Sequence, residues 1–132
     1  MTGREALTMA AHTLHETDLS IYADPAVSWI NMILGELFDV ANRRRSFRGE
    51  APLRSLPQIG SLDEDLPYDE ELIVRCMPKG LTARMFSEDY DNAQLGMYRQ
   101  EYAAAVNECD RGLVCMEYER GTYREHTDAF RL

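Results

Sequence analysis

The chain has 132 residues, of which 45% are hydrophobic and 28% are charged, and its formal net charge is -9. This length suits one domain with a single hydrophobic core, and the composition excludes an intrinsically disordered chain. The negative charge argues against attraction to phosphate backbones or anionic membranes through overall charge.

Cysteine usage and hydropathy indicate a reducing compartment and no membrane association. Cys76, Cys109 and Cys115 are an odd number without C-x-x-C spacing, which favours free thiols over a disulfide framework. No basic segment followed by an apolar run opens the chain, and no stretch approaches the ~20 apolar residues that span a bilayer. We therefore expect synthesis in the cytoplasm.

The first predicted helix covers residues 3 to 16. Thr2 and Glu5 have the T-x-x-E spacing of a capping box. Apolar side chains then recur at helical spacing, at Ala6, Leu7, Ala10, Ala11 and Leu14. His12, His15 and Glu16 would lie on the opposite, polar face, where a solvated surface is expected rather than a metal site.

The second helix is predicted to start at Asp24–Pro25, an N-cap followed by proline at the first helical position. Between residues 27 and 41 apolar side chains point in nearly every direction, which predicts the central, most buried helix. One narrow polar stripe interrupts them, formed by Ser28, Asn31, Gly35 and Asp39. The cations Arg43, Arg44 and Arg45 suit a helix C-terminus, with Gly49 as a stop.

Residues 50–67 contain three prolines and no period, and predict a long irregular connection. The acids at 69–71 suit the first turn of a third helix. Its apolar stripe keeps a spacing of four from Ile73 to Met85 straight through Pro78, which predicts one kinked helix.

A fourth helix should follow the acids Glu88, Asp89 and Asp91 and end near Arg111–Gly112. Residues 113–116 could form a short strand, and the charged, aromatic remainder has no helical period. The sequence thus predicts an all-α fold, a small four-helix bundle domain over residues 1–112 with a long loop between helices 2 and 3. Residues 113–132 would form an extended C-terminal arm that frays or docks on a neighbour.

Motifs of catalysis are missing from the sequence. It contains no phosphate-binding glycine loop and no E-x-x-H pair of a di-metal bundle. Cys76 lies in an apolar stripe without a histidine nearby in sequence, so it is interpreted as a small buried hydrophobe. We expect no catalytic residue, no metal, no cofactor and no enzymatic activity.

Charge clusters are the remaining candidates for a site. Arg43, Arg44, Arg45 and Arg48 form the only basic concentration, interpreted first as helix-end charges. Their natural complement is an acidic run formed by Asp63, Glu64, Asp65, Asp69, Glu70 and Glu71. Our hypothesis is that these acids pair with arginines of an adjacent subunit.

Three segments that follow the basic end of helix 2 carry a resemblance to a known family. They are Leu66-Pro67-Tyr68-Asp69-Glu70-Glu71, Met77-Pro78-Lys79-Gly80-Leu81-Thr82-Ala83 and Ala93-Gln94-Leu95-Gly96-Met97-Tyr98-Arg99-Gln100-Glu101-Tyr102. In this order the chain resembles, over residues 3–110, the head-to-tail connector (adaptor) proteins of tailed bacteriophages.

The resemblance implies a structural virion protein of the neck, assembled in the host cytoplasm. Such proteins form a ring, commonly of twelve copies, between the portal protein and a tail or stopper protein, and DNA passes through without sequence-specific binding. An extended C-terminal arm binds the portal, which by position implies docking through Tyr118, Tyr123, Phe130 and Leu132. Contacts between subunits are assigned to Arg43, Arg44, Arg45, Asp63, Glu64 and Asp65.

Two other functions stay open. A cytoplasmic helical interaction or regulatory module would be a stable monomer or dimer and would form no ordered ring. An enzyme whose site is assembled at a subunit interface would leave no motif in one sequence. Within the phage neck, the all-helical pattern favours the adaptor over the stopper, which tends to be a small β-barrel.

Overall fold

The computed structural model describes residues 1–86 and 92–119, with side chains of the fourth helix described over 93–110. This part of the chain forms four helices: α1 (Gly3–Thr13), α2 (Ser20–Phe47), α3 (Glu70–Phe86) and α4 (Asn92–Glu119). The prediction of an all-α four-helix bundle with a long connection between helices 2 and 3 is confirmed. None of the described helices is long and apolar enough to cross a membrane.

Helix α1 begins as its sequence predicts. Thr2 is the N-cap, and its Oγ1 accepts a hydrogen bond from the backbone N–H of Glu5 at 3.2 Å. The predicted apolar face is buried at Ala6, Leu7, Ala10 and Ala11. The helix ends at Thr13, three residues before the predicted end, and His15 lies beyond it with φ +58°. His15 and Glu16 therefore do not share a helical face with His12.

Helix α2 begins at Ser20, so the predicted N-cap at Asp24–Pro25 is wrong and the proline lies inside the helix. Asp18 Oδ1 instead accepts from the Ser20 N–H at 2.9 Å. The extra turn is stabilised by packing, because its residues Tyr22 and Ala23 pack against the core. Inside a helix, proline removes one backbone hydrogen bond and its ring crowds the preceding turn, so this packing has to offset the cost of Pro25.

The end of α2 confirms Gly49 as the stop. Gly49 has φ +79°, which glycine adopts without a Cβ penalty. Its N–H donates to Ser46 O at 3.0 Å, and the Glu50 N–H donates to Arg45 O at 2.8 Å. These two bonds form a Schellman motif that satisfies the last free carbonyls of the helix.

The central helix is α3, not α2 as predicted. Ten of the 17 residues of α3 are buried, against eight of the 28 in α2, and α3 packs on each of the other three helices. It continues through Pro78, which confirms one helix. At Gly80 a Cβ atom would lie 2.9 Å from Ile33 Cδ1 and 3.1 Å from Tyr102 Cε1. Glycine at this position therefore permits the close approach of α2 and α4.

The connection between α2 and α3 is bound along α2 by two asparagines. Asn31 Oδ1 accepts from the Ile59 N–H at 2.8 Å, and its Nδ2 donates to Ile59 O at 3.0 Å. Asn42 Oδ1 accepts from the Leu53 N–H at 2.8 Å. The loop also buries the side chains of Ile59, Leu62 and Leu66. Part of the polar stripe of α2 thus holds the chain's own loop.

Helix α4 continues through Gly112 to Glu119. The predicted helix end at Arg111–Gly112 and the short strand at 113–116 are therefore wrong, because a short apolar run fits a helix as well as a strand. One glycine costs a helix about 1 kcal/mol, which its neighbours can offset. Residues 113–119 belong to α4, so the predicted extended arm does not begin at 113, and over residues 120–132 it stays a prediction. The acids at 88, 89 and 91 and residues 120–132 lie outside the described residues.

Candidate functional site

Arg43, Arg44 and Arg45 at the end of α2 were predicted to contact another subunit, but each hydrogen-bonds a different partner within the chain. Arg44 is buried and its guanidinium donates to Asp69 Oδ2 at 2.8 Å and to Glu71 Oε2 at 3.3 Å. Its Nη1 also donates to Cys109 O at 3.1 Å. This one side chain therefore joins α2, the start of α3 and α4. The arginines and part of the acidic run do meet, within a single chain.

Asp69 has further partners, since its Oδ2 also accepts from the Leu72 N–H at 3.2 Å and caps α3, and Arg48 Nη1 lies 3.8 Å from its Oδ1. The preceding residue, Tyr68, has φ +87°, an unfavourable conformation for a bulky residue. Its hydroxyl donates to Leu34 O at 2.6 Å, which holds this turn in place. Burial raises the pKa of the Asp69 carboxyl, but hydrogen bonds and the charge of Arg44 outweigh burial and lower it.

Acid should destabilise the chain through this carboxylate. Because the pKa of Asp69 is lower in the folded state, its ionised form stabilises the fold above the unfolded pKa of about 3.9. That stability is lost as the pH falls through the folded pKa. Urea unfolding at a series of acidic pH values should show a smaller loss in Asp69→Asn than in the wild type. Equal losses in both proteins would contradict the assignment.

The two flanking arginines are more exposed. Arg43 forms a bidentate pair with Asp110 of α4, at 2.8 Å and 3.1 Å. Arg45 donates to Ala51 O at 2.8 Å and lies 3.4 Å from Glu50 Oε2. Exposed pairs of this kind contribute about 0 to 1 kcal/mol. In an assembly, Arg43 and Arg45 could replace these exposed partners with residues of another subunit. Arg44, in contrast, is buried and bound within its own chain.

The acids predicted to contact a neighbouring subunit surround the N-terminus of α1. Asp63 Oδ1 accepts from Arg4 Nε at 3.0 Å, and Glu64 Oε2 accepts from the Gly60 and Ser61 N–H groups. Asp65 forms a backbone bridge with Thr2. Negative charge at a helix N-terminus is stabilising. Asp63, Glu64 and Asp65 therefore have a role within the chain, and their contact with another subunit stays a prediction.

The side chains of the predicted docking residues lie outside the described part of the chain. Tyr118 lies in the last turn of α4, and Tyr123, Phe130 and Leu132 lie outside the described residues. At the other end of the chain, His12, His15 and Glu16 are exposed. Across residues 1–86 and 93–110, no three His, Cys, Asp or Glu side chains are grouped so that they could hold a metal ion.

Cys76 of α3 and Cys109 of α4 are fully buried with their sulfurs 3.8 Å apart. Burial, together with the neighbouring Cys109, raises the pKa of Cys76 to about 12. A protonated, buried thiol reacts slowly with electrophiles. In a Cys115→Ser variant, iodoacetamide at neutral pH should therefore modify neither cysteine until urea unfolds the protein, as read by mass spectrometry. Rapid modification of the native protein would contradict this burial.

Two surfaces carry exposed apolar side chains that sequence reasoning missed. The first, named the α2 face, is a shallow depression of about 670 Å³ between α2 and the connection. Its main lining residues are Asp24, Val27, Ser28, Met32, Gly35 and Leu56. Met32 is 56% exposed and Leu56 is 42% exposed. The stripe containing Ser28 and Gly35 marked this side of the helix, although Met32 was predicted as part of a buried helix.

The second surface, named the α3 groove, is a narrower cleft of about 300 Å³ between α1, α3 and α4. Its lining includes Met9, Val74, Pro78, Lys79, Tyr98 and Glu101. Met9 is 43% exposed and Val74 is 38% exposed, while Tyr98 is buried at the base. No single-sequence signal marks this groove, because it exists only where three helices meet.

In three comparisons with known proteins, no protein-family model, no curated protein and no solved structure matches the chain.

Proposed function

We propose that the chain is a structural subunit of the head-to-tail connector of a tailed bacteriophage. In this function identical copies form an adaptor ring, of twelve copies as the resemblance implies, below the portal protein. The ring links the DNA-filled head to the tail, and the C-terminal segment binds the portal. The chain acts by binding other proteins and carries out no catalysis.

The observation that carries this proposal is the packing of the two segments richest in the resemblance, residues 77–83 and 93–102. Tyr102 of the second segment lies against Gly80 of the first, with Cε1 3.1 Å from the position of a Cβ atom. Tyr98 meets Phe86 edge to face, with ring centroids 5.2 Å apart. Gly80, Tyr98 and Tyr102 thus belong to one contact between α3 and α4. A resemblance in residues that pack together is more informative than one in scattered positions.

Charge supports the same function. The chain has 23 acidic residues against 14 lysines and arginines. Of the basic side chains that the structure describes, most are held in intrachain ion pairs, including Arg4, Arg43, Arg44, Arg75 and Arg84. A ring built from such a chain would offer DNA few free cations, so DNA could pass its channel without strong binding.

Binding to the portal protein of the same phage tests this function. The full chain should bind the portal, whereas a chain that ends at Glu119 should lose binding and keep its cooperative thermal unfolding. Glu119 is a better truncation point than Gly112, since α4 continues to Glu119. Within the tail, Phe130→Ala should weaken binding at least about tenfold, because aromatic side chains dominate interface energies.

Thr127→Ala is the matched control and should bind the portal like the wild type. Undiminished binding by the truncated chain would show that the tail is not the docking arm. A full chain that never binds the portal and stays a monomer or dimer would instead favour the helical interaction module.

A further inference from the structure

The α2 face and the α3 groove lie on different sides of the subunit. The face is formed by α2 and its connection, and the groove is formed by α1, α3 and α4. Gly80 of α3 faces Ile33 of α2, and Pro78 in the groove is two residues away. Two residues correspond to about 200° around a helix, so the groove side of α3 points away from α2. One subunit thus presents two separate apolar surfaces in different directions.

The shapes of these surfaces suit one another. Along the α2 face, Ser28, Met32 and Gly35 follow the i, i+4, i+7 spacing by which a helix enters a groove. Met32 is the exposed apolar side chain, and the small residues on either side leave room for groove walls. The α3 groove offers apolar contact from Met9 and Val74 on its rim and from Tyr98 at its base.

Each surface carries a charge that suits the other. Among the described residues, Asp24 is the only charged residue that lines the α2 face, whereas the α3 groove is lined by Lys79, the only lysine of the chain, by Glu101 and by the Arg75–Glu108 ion pair. Neither Asp24 nor Lys79 has an ion-pair partner within the part of the chain that the structure describes. Only two other described cations, Arg54 and Arg99, also lack a carboxylate partner. Because the chain has a net charge of -9, an unpaired cation is one of the few groups on it that can attract a carboxylate of a second copy.

We propose that the α2 face of one copy docks in the α3 groove of a second copy, with Met32 in the groove and Asp24 beside Lys79. The contact joins two different surfaces, so each copy keeps one free surface for a further neighbour. Repetition of such a contact closes a ring when the rotation between copies permits it. This inference deepens the proposed function and rests on it, because an adaptor needs a ring of identical subunits.

Photo-crosslinking between two labelled populations tests the contact directly. One population carries benzoylphenylalanine at position 32 with natural isotopes, and the other is unmodified and ¹⁵N-labelled. The two are mixed, with and without portal protein, and irradiated. Peptides that join a light position 32 to heavy Met9, Val74 or Tyr98 are expected. If light–heavy crosslinks map elsewhere, or if position 32 crosslinks only within its own chain, the proposal is wrong.

A charge exchange tests the ion pair. Asp24→Lys and Lys79→Glu should each weaken self-association at least about tenfold, since each places like charges together. The double variant Asp24→Lys/Lys79→Glu should regain most of the wild-type association, because opposite charges meet again. Sedimentation velocity measures all four proteins. Single variants that associate like the wild type, or a double variant weaker than both, would overturn the contact.

The two hypotheses fail in distinguishable ways. If rings form on the portal and crosslinks map to other residues, the adaptor function stands and this contact is wrong. If position 32 crosslinks to the groove of another copy and no portal binding is found, the contact stands and the adaptor function is wrong. Absence of any light–heavy crosslink in both conditions refutes the contact whether or not the chain binds the portal.

Discussion

Arg44→Met should destabilise the folded chain by about 3–5 kcal/mol, because it leaves the carboxylate of Asp69 without its buried cation. Arg44 is 7% exposed and hydrogen-bonds Asp69, Glu71 and Cys109 O. Methionine keeps most of the side-chain volume, so the change removes the charge and the hydrogen bonds. Urea unfolding at neutral pH measures the difference.

Arg43→Met is the matched control, one position away in the same helix. Its pair with Asp110 is largely exposed, and the cost should be at most about 1 kcal/mol. The double variant Arg44→Met/Asp69→Asn should be more stable than Arg44→Met alone, since no uncompensated charge is then buried. Equal effects of the two arginine substitutions would contradict the structural role of Arg44.

Gly80→Val should have the second largest effect, a loss of about 1–3 kcal/mol from overpacking. Even the Cβ atom of valine would lie 2.9 Å from Ile33 Cδ1, and its methyl groups need further space between α2 and α4. Helix propensity slightly favours valine over glycine, so a loss of stability can only come from packing. Thermal and urea unfolding should both show it.

The same substitution at Gly96 is the control, because a Cβ atom there meets nothing within 4 Å. Gly96→Val should leave stability unchanged or raise it by a few tenths of a kcal/mol. Ile33→Ala should cost less stability in the Gly80→Val background than in the wild type, because it makes room for the valine. If Gly80→Val is as stable as Gly96→Val, our conclusion that the three helices pack closely at Gly80 is wrong.

Local signals in the sequence predicted the helices well where one side chain fixes the backbone. Thr2 caps α1, Gly49 stops α2, and the apolar spacing of α3 continued through Pro78. Prediction failed where tertiary packing decided. Asp24–Pro25 is a good start signal, yet the packing of Tyr22 and Ala23 against the core makes the earlier start at Ser20 more favourable.

The candidate sites show a similar division. The arginine cluster and the acidic run were found from composition, but their pairing within one chain depends on the turn at Tyr68 that places Asp69 under Arg44. The periodicity of apolar residues in the sequence does not predict such a turn. The α2 face and the α3 groove also escaped prediction, since each is formed by residues far apart in the chain.

Electron microscopy of the native phage particle, or of the chain mixed with its portal protein, tests the central claim most directly. The proposed function predicts a ring of density below the portal into which this four-helix subunit fits, with α2 of each copy against the α3 groove of the next. Portal vertices without such a ring, and free particles of one or two copies, would contradict the adaptor function.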